Sequence, residues 1–384
     1  MRVSRIADDD QMAALASEWN VLARGVPFRT WNWMAAWWRH YGSPRPTAAT
    51  RRELFVLAVH DATGTLTGLA PWYRQTRAGR PRTVRFLGSG HACSDYLSVL
   101  CRPGCETEVA TDLAEWLGEH RGSTTDDEQT WDRLEMTGVD AADRTVNELV
   151  AALAERGSLV HRRSAPHCWR LRLPADWDSY LARLSKSHRK QLRRFQRRLF
   201  DGGRAVLRQV ADESDLARGL AILTDLHQRR RRGFGEPGCF AEPSFANFHR
   251  EVALQLLHAG SLRLSWLELD GRPIAAEYQL AGDGVIYAYQ SGIDPDALAH
   301  EPGRLATMAT LRAAIDGGYR AYDLLRGDEA YKAHWRAEPR PSLDLRVLPG
   351  TPADRLRRGV WVAGDNVRAW LKNRWRSAGS FNSQ

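Results

Sequence analysis

Apolar and polar positions along the chain switch between a period near 3.6 and a period of two, and the switches mark its elements. In RTWNWMAAWWRHYG, Trp31, Trp33, Trp37 and Trp38 recur at helical spacing on one wide face, expected to be core, with a ligand-stacking box as the alternative. ELFVLAVHDATGTLTGLAPWYR reads as two strands folded about Thr63 and Gly64. TVRFLGSG and DYLSVL continue as strand, Pro103 and Gly104 precede a periodic helix, and WDRLEMTGV is strand again.

The second half repeats this order. SLRLSWLELDGRPIAAEYQL is a hairpin turned on Asp270 and Gly271, GVIYAYQSGID is a strand, Pro302 and Gly303 precede the helix RLATMATLRAAIDGG, and RAYDLL is the next strand. The two Pro-Gly pairs lie 199 residues apart, and Asp132 and Asp323 lie 191 apart, which predicts two copies of one α/β unit. Between the halves, Leu181, Leu184, His188, Leu192, Phe195 and Leu199 form the stripe of one amphipathic helix ended by Gly202 and Gly203. A second helix, ESDLARGLAILTDLHQRRRRGFG, ends in four consecutive arginines, which suit the negative end of the helix dipole. At the C-terminus, Leu356, Val360, Val367, Trp370, Leu371 and Trp375 predict a closing helix, with contact to a membrane surface as the alternative.

Composition narrows the class. At 384 residues, 43% hydrophobic and 26% charged, the chain is globular with two or three domains, and disorder and fibrous repeats are excluded. No apolar run approaches the roughly 18 residues of a membrane span, and MRVSRIADDDQMAAL has acids where a secretory signal would be apolar, so a cytoplasmic location is expected. Five scattered cysteines read as reduced thiols. Cys101 and Cys105 lack a second ligand pair at zinc spacing, so no metal is expected. Cys93, two residues from His91, is a thiol nucleophile or a small buried residue at a turn.

The net charge of +9 is concentrated. From Arg183 to Arg232 there are fifteen Lys or Arg and five Asp or Glu, a net of +10, which leaves about −1 elsewhere. Only Lys186, Lys190, Lys332 and Lys372 are lysines. The segment is a solvated basic face or the site of an anionic partner.

Candidate chemistry gathers in the second half. The Pro302-Gly303 turn leaves backbone N–H groups at a helix N-terminus, and Arg304 adds charge, a combination suited to pyrophosphate or to ordinary capping. Glu277 lies mid-strand among apolar neighbours, where it faces solvent or, lining a cleft, serves as a base with a raised pKa. Tyr289 is a candidate acid or a packing residue. Asp323, Arg326, Asp328, Glu329 and Lys332 cluster after a strand, as an ion-paired loop or a catalytic and substrate-binding group. His227 precedes the arginines and is a candidate base or substrate contact.

The wording of this half resembles the CelD/BcsL-type acetyltransferases, a branch of the GNAT (GCN5-related N-acetyltransferase) superfamily with a doubled fold. The matching residues include Leu226-His227, Asp270-Gly271, Pro273-Ile274-Ala275, Ser291-Gly292, Pro302-Gly303 and the run LLRGDEAYKAHW from Leu324 to Trp335; PFRTWNWMAAWWRHYG, GLAPWYR and RFLGSG are similar to the first copy. The resemblance implies an α/β (α+β) fold of two tandem GNAT-like units, each a mixed, mostly antiparallel sheet flanked by helices. They would occupy residues 1–165, a first copy either active or degenerate, and 166–350, with a basic amphipathic tail at 351–384. It further implies acyl transfer from acetyl-CoA or another acyl-CoA to an amine or hydroxyl of a cell-envelope, polysaccharide or natural-product acceptor. Gln290 and Ser291 would meet the thioester, and Pro302, Gly303, Arg304, Leu305 and Ala306 the pyrophosphate. Nucleic acid enters only in the alternative, a Fem-type aminoacyltransferase using tRNA; a non-catalytic scaffold is the other. Oligomeric state is left open.

Overall fold

A computed structural model describes residues 2–42, 50–122, 128–351 and 354–355. The first unit runs β1 (Arg2–Ile6), α1 (Asp9–Ala14), α2 (Ala16–Ala23), α3 (Trp31–Trp37), β2 (Arg51–Leu54), β3 (Val56–His60), β4 (Leu66–Ala70), β5 (Trp72–Arg77), β6 (Arg80–Phe86), β7 (Leu100–Cys101), α4 (Glu106–Glu119), β8 (Arg133–Asp140), α5 (Arg144–Glu155) and β9 (Leu159–Arg172). The second runs α6 (Trp177–Arg183), α7 (Lys186–Phe195), β10 (Ala205–Gln209), α8 (Glu213–Arg232), α9 (Pro243–His258), β11 (Leu262–Leu269), β12 (Arg272–Gly282), β13 (Val285–Ile293), α10 (Pro302–Asp316), β14 (Ala321–Arg326), α11 (Tyr331–His334) and β15 (Glu338–Leu348).

The two halves share a device. In each, a strand, a helix and a second strand make a parallel crossover: Thr83–Arg85 pair with Arg133–Glu135, and Val285–Tyr287 pair with Ala321–Asp323. Each pairing stops after three residues, because the strands then diverge. Two units with the repeated order expected from the sequence are therefore present, but they are interlocked. An eleven-stranded sheet has the order β10-β11-β12-β13-β14-β9-β15-β8-β6-β5-β2. The last strand of the first half, β9, pairs with β14 of the second, and β15 crosses back onto β8 of the first. Residues 165 and 166, the expected border between the units, lie within β9. The first hairpin is also shared. Its β3–β4 half joins a four-stranded sheet, while its β2–β5 half joins the large one.

Trp33, Trp37 and Trp38 are buried, as the core reading expects. The hairpin at Asp270–Gly271 forms with both residues at positive φ, 51° and 79°. The single amphipathic helix expected after Trp177 is corrected to two. Leu184 is extended, and the Ser185 hydroxyl caps a new helix by accepting the His188 N–H at 3.3 Å. The apolar stripe survives the break, with Leu181, Leu184, Leu192 and Phe195 buried. The closing helix expected at the C-terminus lies outside the described residues, apart from 354–355. Among the described residues, no helix is long and apolar enough to cross a membrane.

The second unit's sheet has two covered faces. Leu264, Trp266, Ala276, Tyr278, Leu280 and Tyr287 pack towards α8, α9 and the first unit, whereas Leu267, Ala275, Ile286 and Tyr322 pack towards α10, α6 and α7. This division decides which candidate side chains can meet.

Candidate functional site

Strand β13 carries a bulge. Tyr278 of β12 pairs with Gln290 and the next residue, Gln279, pairs with Ala288, so Tyr289 is left without a partner. A bulge turns consecutive side chains to one side and frees backbone groups. Here Tyr289 and Gln290 both reach the α8–α9 side, Tyr289 to His249 and Gln290 to Cys239. The same stretch lies past Tyr287, the last residue paired with β14, so residues 288–293 form one wall of a cleft.

On the α10 side of that wall stands Glu277, directly across from Ser265 on β11 and Ser291 on β13. It has no hydrogen-bond partner among the described residues. The side chain keeps a narrow exposure, yet burial pushes its carboxyl up to about 8. Burial, and to a lesser degree the charge of Glu277, raises the phenol of Tyr322; burial, then the charge of Glu329 and last that of Glu277, raises that of Tyr331 to about 12. Next to Glu277 on the same face, Gln279 donates to the Tyr322 hydroxyl, which also meets Thr310 of α10 at 3.0 Å. A cavity of about 290 Å³ lies beyond, lined by Ser265, Gln279, Thr310 and Tyr319 among others.

At the end of β13 the chain turns into α10. Glu301 adopts positive φ, 55°, and precedes Pro302 at the first helical position. The Leu305 N–H is taken by Glu301, which leaves the amides of Gly303 and Arg304 as the unbonded donors of the first turn. A Cβ placed on Gly303 would meet only Ile293, at 3.8 Å, so an anion has an open approach. Leu305 and Ala306 point into the core and can contribute backbone alone. The Glu301 carboxylate pairs with Arg304, and both its oxygens accept from the amide of Gln191 of α7, at 3.0 and 3.1 Å. This contact brings the basic helix α7 against the turn.

The other expected residues divide. Tyr289 lies on the opposite face from Glu277, and its hydroxyl donates to the Ala92 carbonyl at 2.6 Å and meets His249 at 3.0 Å. Asp323 is fully buried and accepts from Tyr96 and Arg170, both at 2.6 Å, and from the Leu325 N–H at 2.8 Å. Arg326 grips Asp95 of the first unit, with its Nε at 2.8 Å and its backbone N–H at 3.1 Å. Lys332 is buried, and its Nζ donates to the carbonyls of Leu325, Arg326 and Gly327 at 3.0 to 3.1 Å while pairing with Glu329 at 3.0 Å. Asp328 accepts from His167 at 2.8 Å and Trp169 at 3.1 Å. Asp323, Arg326, Asp328, Glu329 and Lys332 therefore build and anchor the loop after β14. Ser291 is exposed on the cleft wall. His227, buried near the end of α8, contacts Cys239 rather than any of these.

Sequence reasoning missed Asp95, Tyr96 and Arg170, which fasten the two units beneath the cleft. It also missed Cys239, twelve residues from His227. Among the described residues no cluster of His, Cys, Asp and Glu is fit to hold a metal.

Residues 186–333 match the family model described as acetyltransferase (GNAT) domain, which spans the basic helix, the bulged strand and the Lys332 loop. No curated protein matches the chain. Among solved structures, the fold is similar to that of FemX, at 12% identity over 93% of this chain and 99% of that one, with a TM-score of 0.60. It is also similar to a conserved protein of unknown function from Bacteroides thetaiotaomicron VPI-5482, at 13% identity over 90% and 100% of the chains and a TM-score of 0.55. L-PGS from Bacillus licheniformis gives 10% identity over 92% and 95% and a TM-score of 0.50. The class is thus a tandem fold of GNAT-like units, shared with Fem-type proteins.

Proposed function

We propose that the chain is an acyltransferase of the CelD/BcsL type, acting in the cytoplasm, that moves an acetyl or longer acyl group from acyl-CoA directly to an amine or hydroxyl. The acceptor class is a cell-envelope, polysaccharide or natural-product precursor. The observation that carries this reading is the bulged stretch of β13 beyond its pairing with β14, with Glu277 beside it. The backbone N–H at the bulge, where Tyr289 has no partner on β12, is suited to the oxygen of a thioester carbonyl, where charge develops during acyl transfer. The donor's pyrophosphate would lie on the Gly303 and Arg304 amides with the Arg304 side chain. Glu277, whose burial tunes it near neutral pH, would take the acceptor's proton. Calorimetry with acetyl-CoA and longer acyl-CoA esters tests the donor; the absence of binding by all of them removes this reading.

A second reading has a specific observation behind it. Lys186, Lys190, Arg193, Arg194, Arg197 and Arg198 are exposed on α7 and the turn after it, with no carboxylate partner among the described residues, whereas Arg229 and Arg231 of α8 are paired. A Fem-type transfer from aminoacyl-tRNA would use this row for phosphates. RNA that co-purifies and leaves steeply with salt supports it. Tight acyl-CoA binding by RNA-free protein speaks against it.

A further inference from the structure

We propose that Cys239, His227 and Gln228 form a thiol site that accepts an acyl group covalently, on the face of β13 opposite Glu277. The thiol of Cys239 lies 3.6 Å from His227 Nε2, and the other ring nitrogen, Nδ1, lies 3.0 Å from Gln228 Oε1. The amide of Gln228 is itself oriented, because its Nε2 donates to the Pro237 carbonyl at 2.8 Å. Oε1 accepts only, so it selects the tautomer with the proton on Nδ1. The lone pair on Nε2 then faces the sulfur. A nucleophile, a base and a group that orients the base are the parts that covalent transfer requires.

The backbone is shaped for this contact. Gly238 has φ of 74°, and a Cβ there would lie 2.1 Å from Gln228 Oε1. Gly292 on β13 has no room for a Cβ either, which would meet the His227 N at 2.6 Å and the Leu223 O at 3.0 Å. The two glycines let the 239 loop close on α8 and let α8 lie directly on the bulged strand. Gln290, from the bulge, donates to the Cys239 sulfur at 3.4 Å, which ties the thiol to the stretch proposed to hold the acyl carbonyl. Cys239 is half-buried. Burial raises its thiol to about 11 and lowers His227, so the resting pair is a neutral thiol beside a neutral imidazole. Proton transfer then accompanies attack.

As the Cys239 sulfur bonds to the acyl carbon, its proton passes to His227 Nε2. The bond from that carbon to the donor's leaving sulfur or oxygen breaks, and the leaving atom takes the proton from His227. In the second half, an acceptor amine or hydroxyl attacks the acyl-Cys239 thioester, its proton passes to His227, and the departing sulfur of Cys239 recovers it. The acyl group thereby has a holding point when no acceptor is bound.

The source of the acyl group rests on the acyl-CoA reading, but the thiol site does not, and two donors separate them. Full-length protein is incubated with acetyl-CoA or with p-nitrophenyl acetate, and its peptides are mapped by mass spectrometry. The expected result with both is one acetyl group on Cys239, formed about 100-fold more slowly in His227→Ala, with a smaller fall in Gln228→Ala. Labelling of the exposed Cys93 provides the internal reference and is expected to be unchanged. Acetylation by p-nitrophenyl acetate alone keeps the thiol site and removes acyl-CoA as its donor. Cys239 left unmodified by both reagents overturns the proposal, as does equal labelling in a folded His227→Ala variant.

Discussion

Glu277 illustrates what burial does to one side chain. Its carboxyl ordinarily titrates near 4.5 and in the folded chain near 8. Between those values the native protein holds a proton that the unfolded chain has released, so stability falls as pH rises through this window and is complete below it. Glu277→Gln removes the titration. Its melting temperature is expected to exceed that of the parent by a few degrees at pH 8 and to match it near pH 4.5. Transfer activity is expected to fall 10²- to 10⁴-fold in the same variant. Lys332 differs: its donors are spent on three carbonyls and Glu329. Lys332→Met orphans those carbonyls and is expected to cost about 3 kcal/mol, measured by denaturant unfolding. The sequence marks Glu277 as a mid-strand carboxylate facing solvent or a cleft, and Lys332 as a member of a polar cluster after a strand, ion-paired or functional. It could not show that Asp323 answers to Tyr96 and Arg170, because those partners lie 227 and 153 residues away.

Elements were legible where their signals are local. The Asp270–Gly271 hairpin was readable because two adjacent residues at positive φ specify the turn. The break between α6 and α7 was not, since the apolar stripe passes through it and only the Ser185 cap interrupts the helix. The bulge of β13 was equally hidden, because a strand shows its register only against a partner. Close approach of elements also leaves little trace in sequence. Gly292→Ala places a methyl group against the α8 backbone, and neither neighbour is a flexible side chain. The expected cost is about 1–3 kcal/mol, seen as a lower urea midpoint, with loss of acetylation at Cys239.

At the scale of the whole molecule, two units were readable from the repeated order of elements, but their interlocking was not. Hydrophobic alternation tells a strand which face is buried and not which neighbour it takes. The join beneath the cleft is polar: Asp95 with Arg326, and Tyr96 with Asp323 and Arg170. Arg326→Ala strands the buried Asp95, a loss of about 3–5 kcal/mol. Unfolding followed by tryptophan fluorescence and by circular dichroism is expected to stay a single transition, because strands from both halves share one sheet.

That sharing has a consequence for how the chain is made. Synthesis proceeds from the N-terminus, so β8 and β9 exist long before β15, the strand that lies between them and pairs with both. Until residues 338–348 emerge, the growing protein presents two open strand edges, the kind of surface on which chains associate wrongly. The nascent first half therefore depends on being shielded while the remainder is translated. Released alone as residues 1–172, it is expected to aggregate, and supplying the second half afterwards is expected to rescue it poorly.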